Sequence, residues 1–495
     1  MKFFTKKCFL RIVLLSIVSS LVLSTFWGCS NKEHSEDSGE ATTGVIGTED
    51  ASEDNVLDIP EELDFGGQDV IIFAWSDAEK VEFEVEELGT NSINNSVFKR
   101  NLAIESELGV NLKFAYTEGN VANVGNYVTA VHTAYASGLG YDILAAHTRS
   151  IAQCALMGYM QNLGTIDKES NYLNTSKVWW NDMIVEECTQ NGNFYFVTGD
   201  ASTSFVQMIY SVYFNVDMIE DLKLDSPYEL VKNNQWTIDK FIQLCKNVYV
   251  DKNENSMVDA QEDIIPFGGA SFSYPAMLHG CGIDYVTKNS SEEFVVNNVT
   301  SQKMDDLMNK FASCIVTDSW TTDSKVYNGF MSGNVMFYVG AVALGMDAVG
   351  KDLNYGCVPC PKYDESQESY YSTVRQPATI FGIMNGAKDM AKVTATLEMY
   401  AYQGYKNTTP EIFDVVMSYR ASEGPEMTEM LNIIKNTAYF DFARIYVQDG
   451  MKICDAPGDC LKEGISWTGW TSTYLESFNK TLKTLSDQYA SLSSN

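Results

Sequence analysis

The chain has 495 residues, 34 basic side chains against 66 acidic ones, a formal charge of −32 and 45% hydrophobic content. That length supports roughly two to three domains, or one large two-lobed one. The charge sets the chain against phosphate backbones, which excludes nucleic acid as a partner. The one apolar stretch of near membrane-spanning length lies at the extreme N-terminus, so a polytopic membrane protein is excluded too.

That stretch begins with Lys2, Lys6, Lys7 and Arg11, continues as IVLLSIVSSLVLSTFW over 12–27 and stops at Gly28 and Cys29. A basic start, an apolar centre and a small residue at the end read as a secretory signal over residues 1–28. A Cys directly after a small residue resembles the bacterial lipobox, in which that Cys is diacylated and becomes the first residue of the mature protein. Cys29 is then the lipid-bearing residue, although Trp27 is bulkier than the residue usual at its place; the other reading is ordinary cleavage nearby. Removing residues 1–28 takes away four basic and no acidic side chains, leaving 30 against 66 and a charge near −36. Residues 29–59 follow as a polar, acidic stretch nearly free of aromatics. It buries too little apolar surface to offset its ordering entropy and reads as a flexible tether.

Eleven cysteines, less Cys8 in the signal and Cys29, leave nine scattered ones. An odd, scattered set is no disulfide framework for a fold of this size. Cys357-Val-Pro-Cys360 has the spacing of a redox or zinc half-site but no second such pair, so structural thiols are expected.

Past the tether, Asp69-Val-Ile-Ile-Phe-Ala-Trp75 follows Gly66-Gly67 and reads as a buried first strand, with Ser76-Asp77 as a polar turn. Apolar residues three to four apart predict a helix over 95–108. Val110-Asn-Leu-Lys-Phe114 reads as a second strand, residues 121–137 as a helix and Tyr141-Asp-Ile-Leu-Ala-Ala146 as a third strand. Strands alternating with helices imply a parallel sheet covered on both faces, hence an α/β fold. The pattern resumes with a strand at 209–215 and helices near 217–222 and 237–249. With 10 prolines in the whole chain, rigid linkers are scarce and two closely joined lobes are expected.

The order of pieces now carries a resemblance: the lipobox, the acidic tether, the Val97-Phe-Lys-Arg-Asn-Leu102 helix, Tyr141-Asp-Ile-Leu144, Gly158-Tyr-Met-Gln-Asn-Leu163, Trp179-Trp180, Phe330-Met-Ser-Gly333-Asn-Val-Met-Phe337 and Tyr355-Gly-Cys-Val-Pro-Cys-Pro-Lys362. Together they resemble the extracellular solute-binding proteins of carbohydrate ABC importers, from about residue 60 to the C-terminus. The resemblance implies a two-lobed, type II periplasmic-binding-protein-like fold, with residues 60–200 plus 361–405 in one lobe and 201–360 plus 406–495 in the other. Crossovers fall near 199–200, 359–361 and 403–409. The ligand sits at the carboxyl ends of the strands and the lobes close on it by a hinge.

Sugar recognition needs flat apolar surfaces for pyranose faces and planar hydrogen-bonding groups for hydroxyls. Trp75 and Asp77 leave the first strand at its carboxyl end; a core Trp and a turn Asp are the alternative. Ala146-His147-Thr148-Arg149 is similar to a sugar-contacting segment of maltodextrin-binding proteins, with Thr148 in place of an acid, which points to His147 and Arg149. Asp200 lies at the first crossover, where the family often places a hydroxyl-binding acid. Phe272 or Tyr274 resembles the aromatic loop that flanks sugars, and Trp467 and Trp470 the stacking aromatics that precede the last helix; packing is the alternative for both pairs. Arg375 follows a Tyr-rich strand and is a candidate bidentate ligand. At Gly340-Ala-Val-Ala-Leu344 the family's aromatic platform is missing, which argues against a long maltodextrin.

Asp251, Asn253, Asn255, the carbonyl of Met257, Asp259 and Glu262 match the spacing of an EF-hand Ca²⁺ loop, which draws oxygen ligands from positions 1, 3, 5, 7, 9 and 12. Ser256 replaces the usual turn Gly, and some relatives, the alginate-binding type among them, carry a calcium loop at this place. A structural Ca²⁺ is expected. There is no GxSxG, HExxH, Walker A or GxGxxG motif, and carboxylate pairs among 66 acids decide nothing about glycoside hydrolysis. The sequence therefore predicts a monomeric, lipid-anchored, non-enzymatic receptor on the extracellular face of the cell membrane. It would capture a carbohydrate and deliver it to ABC permease subunits; a secreted hydrolase and a surface sugar sensor are the alternatives.

Overall fold

The computed structural model describes residues 56–492 apart from 270–271, 317–319, 322–324, 349, 418–423 and 447–451. The signal, Cys29 and the tether up to residue 55 lie outside the described residues. The end assigned to the tether is fixed: Asp58 pairs with Lys177 at 3.0 Å and accepts from the Asn174 amide at 2.8 Å.

Strand β1 (Gln68–Trp75) starts directly after Gly66 and Gly67, both at positive φ. Its residues beyond Asp69 are nearly all buried because helices cover both faces. Helix α1 (Ser92–Leu108) is capped by the Asn91 side chain, which accepts from the Asn94 amide at 2.9 Å. It buries Ile93, Val97, Arg100, Ile104 and Leu108 at three- and four-residue spacing. It ends at Gly109 in the left-handed region, where a Cβ would lie 1.8 Å from the Asp64 carboxylate. β2 (Val110–Thr117), α2 (Val124–Ser137), β3 (Ile143–His147) and α3 (Thr148–Leu156) follow. β1 pairs in parallel with β2 and with β3, and β12 (Thr379–Ile383) adds antiparallel to β3, Thr379 facing His147. The first sheet therefore runs β12-β3-β1-β2.

The second sheet runs β10-β4-β9-β5-β8. Here β4 is Tyr210–Asn215, β5 Ile265–Gly268, β8 Trp320–Thr321, β9 Val335–Ala341 and β10 Tyr355–Val358. β5 is parallel to β9 and β8, while β4 is antiparallel to β9 and β10. Every residue of β4 and β9 is buried. The smaller pairs are the hairpin of β6 (Val286–Lys288) and β7 (Phe294–Val296), and β11 (Ser372–Thr373) beside β13 (Ala438–Tyr439).

The chain passes between the sheets three times. Val197 bridges Phe381 of the first sheet before Tyr210 opens β4 in the second. β10 belongs to the second sheet and β12 to the first. Helix α4 (Met390–Gln403) packs on α1, and a π-helical turn, Gly404–Thr408, joins it to α5 (Thr409–Met417), which packs on the helix Leu344–Asp347 of the second lobe. Gly404 is required there, because a Cβ would stand 1.8 Å from the Asp200 carbonyl of the first crossover.

The C-terminal segment departs from a simple assignment to the second lobe. Helices α6 (Phe442–Tyr446) and α7 (Trp467–Leu492) both pack on α3 of the first lobe, while α7 also packs on β7. Tyr489 of α7 donates to the Cys188 carbonyl at 2.7 Å, and Gln190 donates to Ser486 at 3.1 Å. At 26 residues, α7 is about 39 Å long, enough to reach both lobes.

Candidate functional site

In open α/β sheets ligands bind outside the carboxyl ends of the strands. In the first lobe those ends, from β1 and β3, deliver Ser76, Asp77, His147 and the start of α3. In the second lobe, β5 and β9 deliver Phe272 and Ala341, and antiparallel β4 begins there with Tyr210. Between α3, the start of α2 and the end of α6 lies a cavity of about 240 Å³, lined by Val121, Val124, Arg149, Gln153, Ile445 and Tyr446 among others. Of the ten ligand residues expected from sequence, Arg149 is the one that lines it.

Three aromatics proposed from sequence as stacking platforms are packing residues instead. Trp75 is fully buried, its indole N–H donating to Thr379 at 2.9 Å. Tyr274 is fully buried among Phe267, Phe311 and Trp320. Trp467 is 4% exposed and donates to the Val299 carbonyl at 2.8 Å. Trp470 is half-buried and stacks flat on Trp467 at 5.0 Å, with exposed Tyr474 on its far side.

The polar candidates divide. Asp77 accepts from the backbone of Gly119 and Asn120 at 2.8 and 3.1 Å and from the Asn120 amide, which ties β1 to the loop after β2. His147 is buried, caps α3 by accepting from the Arg149 amide at 3.2 Å, and meets Trp75 edge-on. Burial and the neighbouring Arg149 lower its pKa to about 4, so the cap is neutral. Asp200 is buried in the hinge, accepting from Thr409 and pairing with Lys435 at 2.8 Å. Burial raises its carboxyl and the Lys435 charge opposes this. A second cavity, about 420 Å³, opens there beside Trp179, Trp180, Asp200, Tyr405 and Lys435. Both its tryptophans are buried, with their indole N–H groups spent on Glu398.

The second-lobe side of the cleft is organised around Tyr210, which sequence reasoning missed. Phe272 stacks on Tyr210 at 6.0 Å, and the Arg375 guanidinium lies 5.9 Å from the Tyr210 ring and 5.8 Å from the Phe272 ring. Burial pushes the Tyr210 hydroxyl up, while Arg444 and Arg375 pull it down. Arg444 sits in the short apolar run Phe-Ala-Arg-Ile-Tyr of α6 and is 6% exposed. Its one legible signal is a charge inside a run that otherwise reads as core.

The Asp251–Glu262 segment folds as a turn of interlocking side-chain caps. Asp251 accepts from the amides of Asn255 and Ser256 at 3.3 and 2.8 Å, Asn253 from Asn255 at 3.0 Å, and Asn255 from Met257 at 2.7 Å. Ser256 takes φ 59°, the left-handed conformation for which such loops usually use Gly. The carbonyl-type oxygens of Asp251, Asn253 and Asn255 thus turn into the loop, as a hard cation requires. Lys325 is paired with Asp259, and the Asn253 amide with Glu262, and a bound cation would replace both. A second group, His279, Asp284 and Asp441, brings its ligand atoms within 4.8 Å of one another. Burial raises Asp441 to about 7 and lowers His279 to about 3.

The fold is the two-lobed, type II periplasmic-binding-protein-like α/β fold. The chain is similar to the cyclic α-maltosyl-1,6-maltose binding protein from Arthrobacter globiformis, with 12% identity, a TM-score of 0.57 and coverage of 85% of this chain and 100% of that one. It is similar to a cyclo/maltodextrin-binding protein complexed with maltotetraose, at 12% identity and TM-score 0.54, over 84% and 97% of the two chains. It is also similar to the GacH receptor of Streptomyces glaucescens, at 13% identity and TM-score 0.52, over 84% and 99%. The sequence matches no protein-family model and no curated protein.

Proposed function

We propose that this protein is a receptor that captures a saccharide between its two lobes and hands it on chemically unchanged. The observation that carries the reading is what the strand ends present: a cavity lined by Arg149 and Tyr446 beside α3, and in the second lobe the Tyr210–Phe272 stack with Arg375 over it. Stacked rings suit pyranose C–H faces, and guanidinium forks suit hydroxyls and carboxylates. Solved proteins of the same fold are described with oligosaccharides or acarbose, which supports the ligand class.

In this reading Arg149, Phe272 and Arg375 contact the ligand, while Asp77, His147 and Asp200 hold the strand ends and the hinge in place. Closure is a hinge motion about the three crossovers. The lipid on Cys29 would tether the protein to the extracellular face of the membrane, and ABC permease subunits would receive the saccharide. Among the described residues no helix is long and apolar enough to cross a membrane. Ca²⁺ would sit in the Asp251–Glu262 loop, held by Asp251, Asn253, Asn255, the Met257 carbonyl, Asp259 and Glu262, and would brace the second lobe without entering any chemistry.

The test is a thermal-shift panel of the purified protein with mono- and oligosaccharides, followed by chromatography of each hit. A saturable rise in melting temperature with the sugar recovered intact supports the receptor. A shortened sugar replaces it with a hydrolase, and shifts by peptides alone would remove the carbohydrate assignment.

A further inference from the structure

The mature chain is strongly acidic and its arginines are few: Arg100, Arg149, Arg375, Arg420 and Arg444 follow the signal. Of the four that are described, Arg100 is consumed inside the first lobe, where it donates to the Glu82 carbonyl and to the Tyr400 hydroxyl, both at 2.8 Å. The other three are at the cleft. Arg149 lines the cavity from the first lobe. Arg375 lies over the two stacked rings. Arg444 precedes Ile445 and Tyr446, which line the cavity from the opposite side.

Arg444 is the telling group. It is 6% exposed, and its Nε and Nη2 have no hydrogen-bond partner among the described residues. A buried guanidinium with two idle donors is costly unless something of opposite charge completes it. Arg375 is close by, since both guanidiniums act on the Tyr210 hydroxyl, to which Arg375 is hydrogen-bonded, and its Nη1 lies 3.9 Å from the Met208 sulfur. Two carboxylates act on Arg444: exposed Asp455, which water weakens, and buried Asp441, whose oxygens accept from the backbone amides of Tyr285 at 2.6 Å and Ala443 at 2.7 Å. Neither partners the two idle donors of the guanidinium.

Resting on the receptor reading above, we propose that the saccharide is acidic, and that a sugar carboxylate is bound by Arg444 and Arg375 beside the Tyr210–Phe272 stack. A planar carboxylate of charge −1 matches the guanidinium fork and its idle donors, whereas a phosphate would bring up to two negative charges beside Asp441 and Asp455. The protein's overall charge repels anions at long range, so the discrimination is made inside the cleft and not by steering.

The experiment is calorimetric titration of the full chain with three matched ligands: a hexuronate disaccharide, the neutral disaccharide of the same linkage and a sugar phosphate. The uronate binds at least about tenfold more tightly than its neutral counterpart, and Arg444→Lys and Arg375→Gln each bring that preference down to parity, a cut of about tenfold or more. Arg375 is half-buried, so its variant reads the same preference without opening the core, and the melting temperature of each variant without sugar reports folding. Equal or tighter binding of the neutral sugar overturns the proposal and leaves the receptor standing. Preference for the sugar phosphate overturns the carboxylate assignment. If no saccharide of any charge binds, the receptor reading itself falls.

Discussion

Glu398 of α4 is buried, with Oε1 accepting from the Trp179 indole at 2.9 Å and Oε2 from the Trp180 indole at 2.8 Å and the Asn174 amide at 3.1 Å. Burial raises its pKa to about 7 from the ordinary 4.5, against the pull of those three donors and with Asp58 adding to the rise. Because the folded state holds this proton more tightly than the unfolded chain, the stabilisation is complete below the unfolded value and is lost as pH climbs through the folded one. At about 1.4 kcal/mol per pH unit, that gap amounts to about 3 kcal/mol between pH 4 and pH 8. Glu398→Gln cannot titrate, but its Nε2 accepts nothing, so at least one of the three N–H groups aimed at the carboxyl loses its acceptor at every pH, at a cost of about 1–3 kcal/mol. The variant should lie below the native protein by that amount at pH 4 and gain on it steadily, by about 3 kcal/mol up to pH 8. Urea titrations of the two proteins at pH 4, 6 and 8 give the difference at each pH. A difference between the two proteins that stays constant from pH 4 to pH 8, or that moves against the variant, would refute the reasoning, since it would mean that the three donors hold an ionised carboxylate.

Gly404→Ala forces a Cβ into the Asp200 carbonyl and should cost about 1–3 kcal/mol by overpacking, read as a lowered melting temperature, while Gly89→Ala, an exposed position with open space at its Cβ and no positive φ, serves as the control. The nine described cysteines are buried and outside any disulfide, and burial raises the Cys357 and Cys360 thiols to about 12; an aromatic disulfide reagent should leave all nine unmodified until denaturant is added. Calcium at 100 times its Kd should stabilise the protein by about 2.7 kcal/mol, and Asp251→Ala should abolish the rise in melting temperature; an equal rise in the variant would place the ion elsewhere.

The first lobe was legible because its pieces obey their periods. β1, α1, β2, α2 and β3 fall within a few residues of the spans read from hydrophobic pattern, and Gly109 and Gly138 mark the helix ends. Strand-end chemistry was harder to read for a physical reason. Where helices cover both faces of a sheet, Trp75 is buried whichever way it points, so alternation does not tell a cleft aromatic from a core one. Phe272 and Tyr274 are two residues apart, but the helix Ser273–Gly280 begins between them and turns Tyr274 into the core while Phe272 stays half-buried at the cleft. Asp200 carried the right chemistry for hydroxyl binding, yet its partners Thr409 and Lys435 come from more than 200 residues downstream, and that distance hides the hinge contact. The meeting of Arg444 with Tyr210 was hidden for the same reason: it depends on the crossovers, although the charge of Arg444 inside an apolar run is itself legible.

The central claim is capture of an intact saccharide in the strand-end cleft, and the most direct measurement is a calorimetric titration of that saccharide into the native protein and into Phe272→Ala. The account predicts one saturable site in the native protein and a loss of affinity of about tenfold or more in the variant, from removal of an aromatic platform. Equal affinity in the two proteins, or no heat with any saccharide, would contradict it.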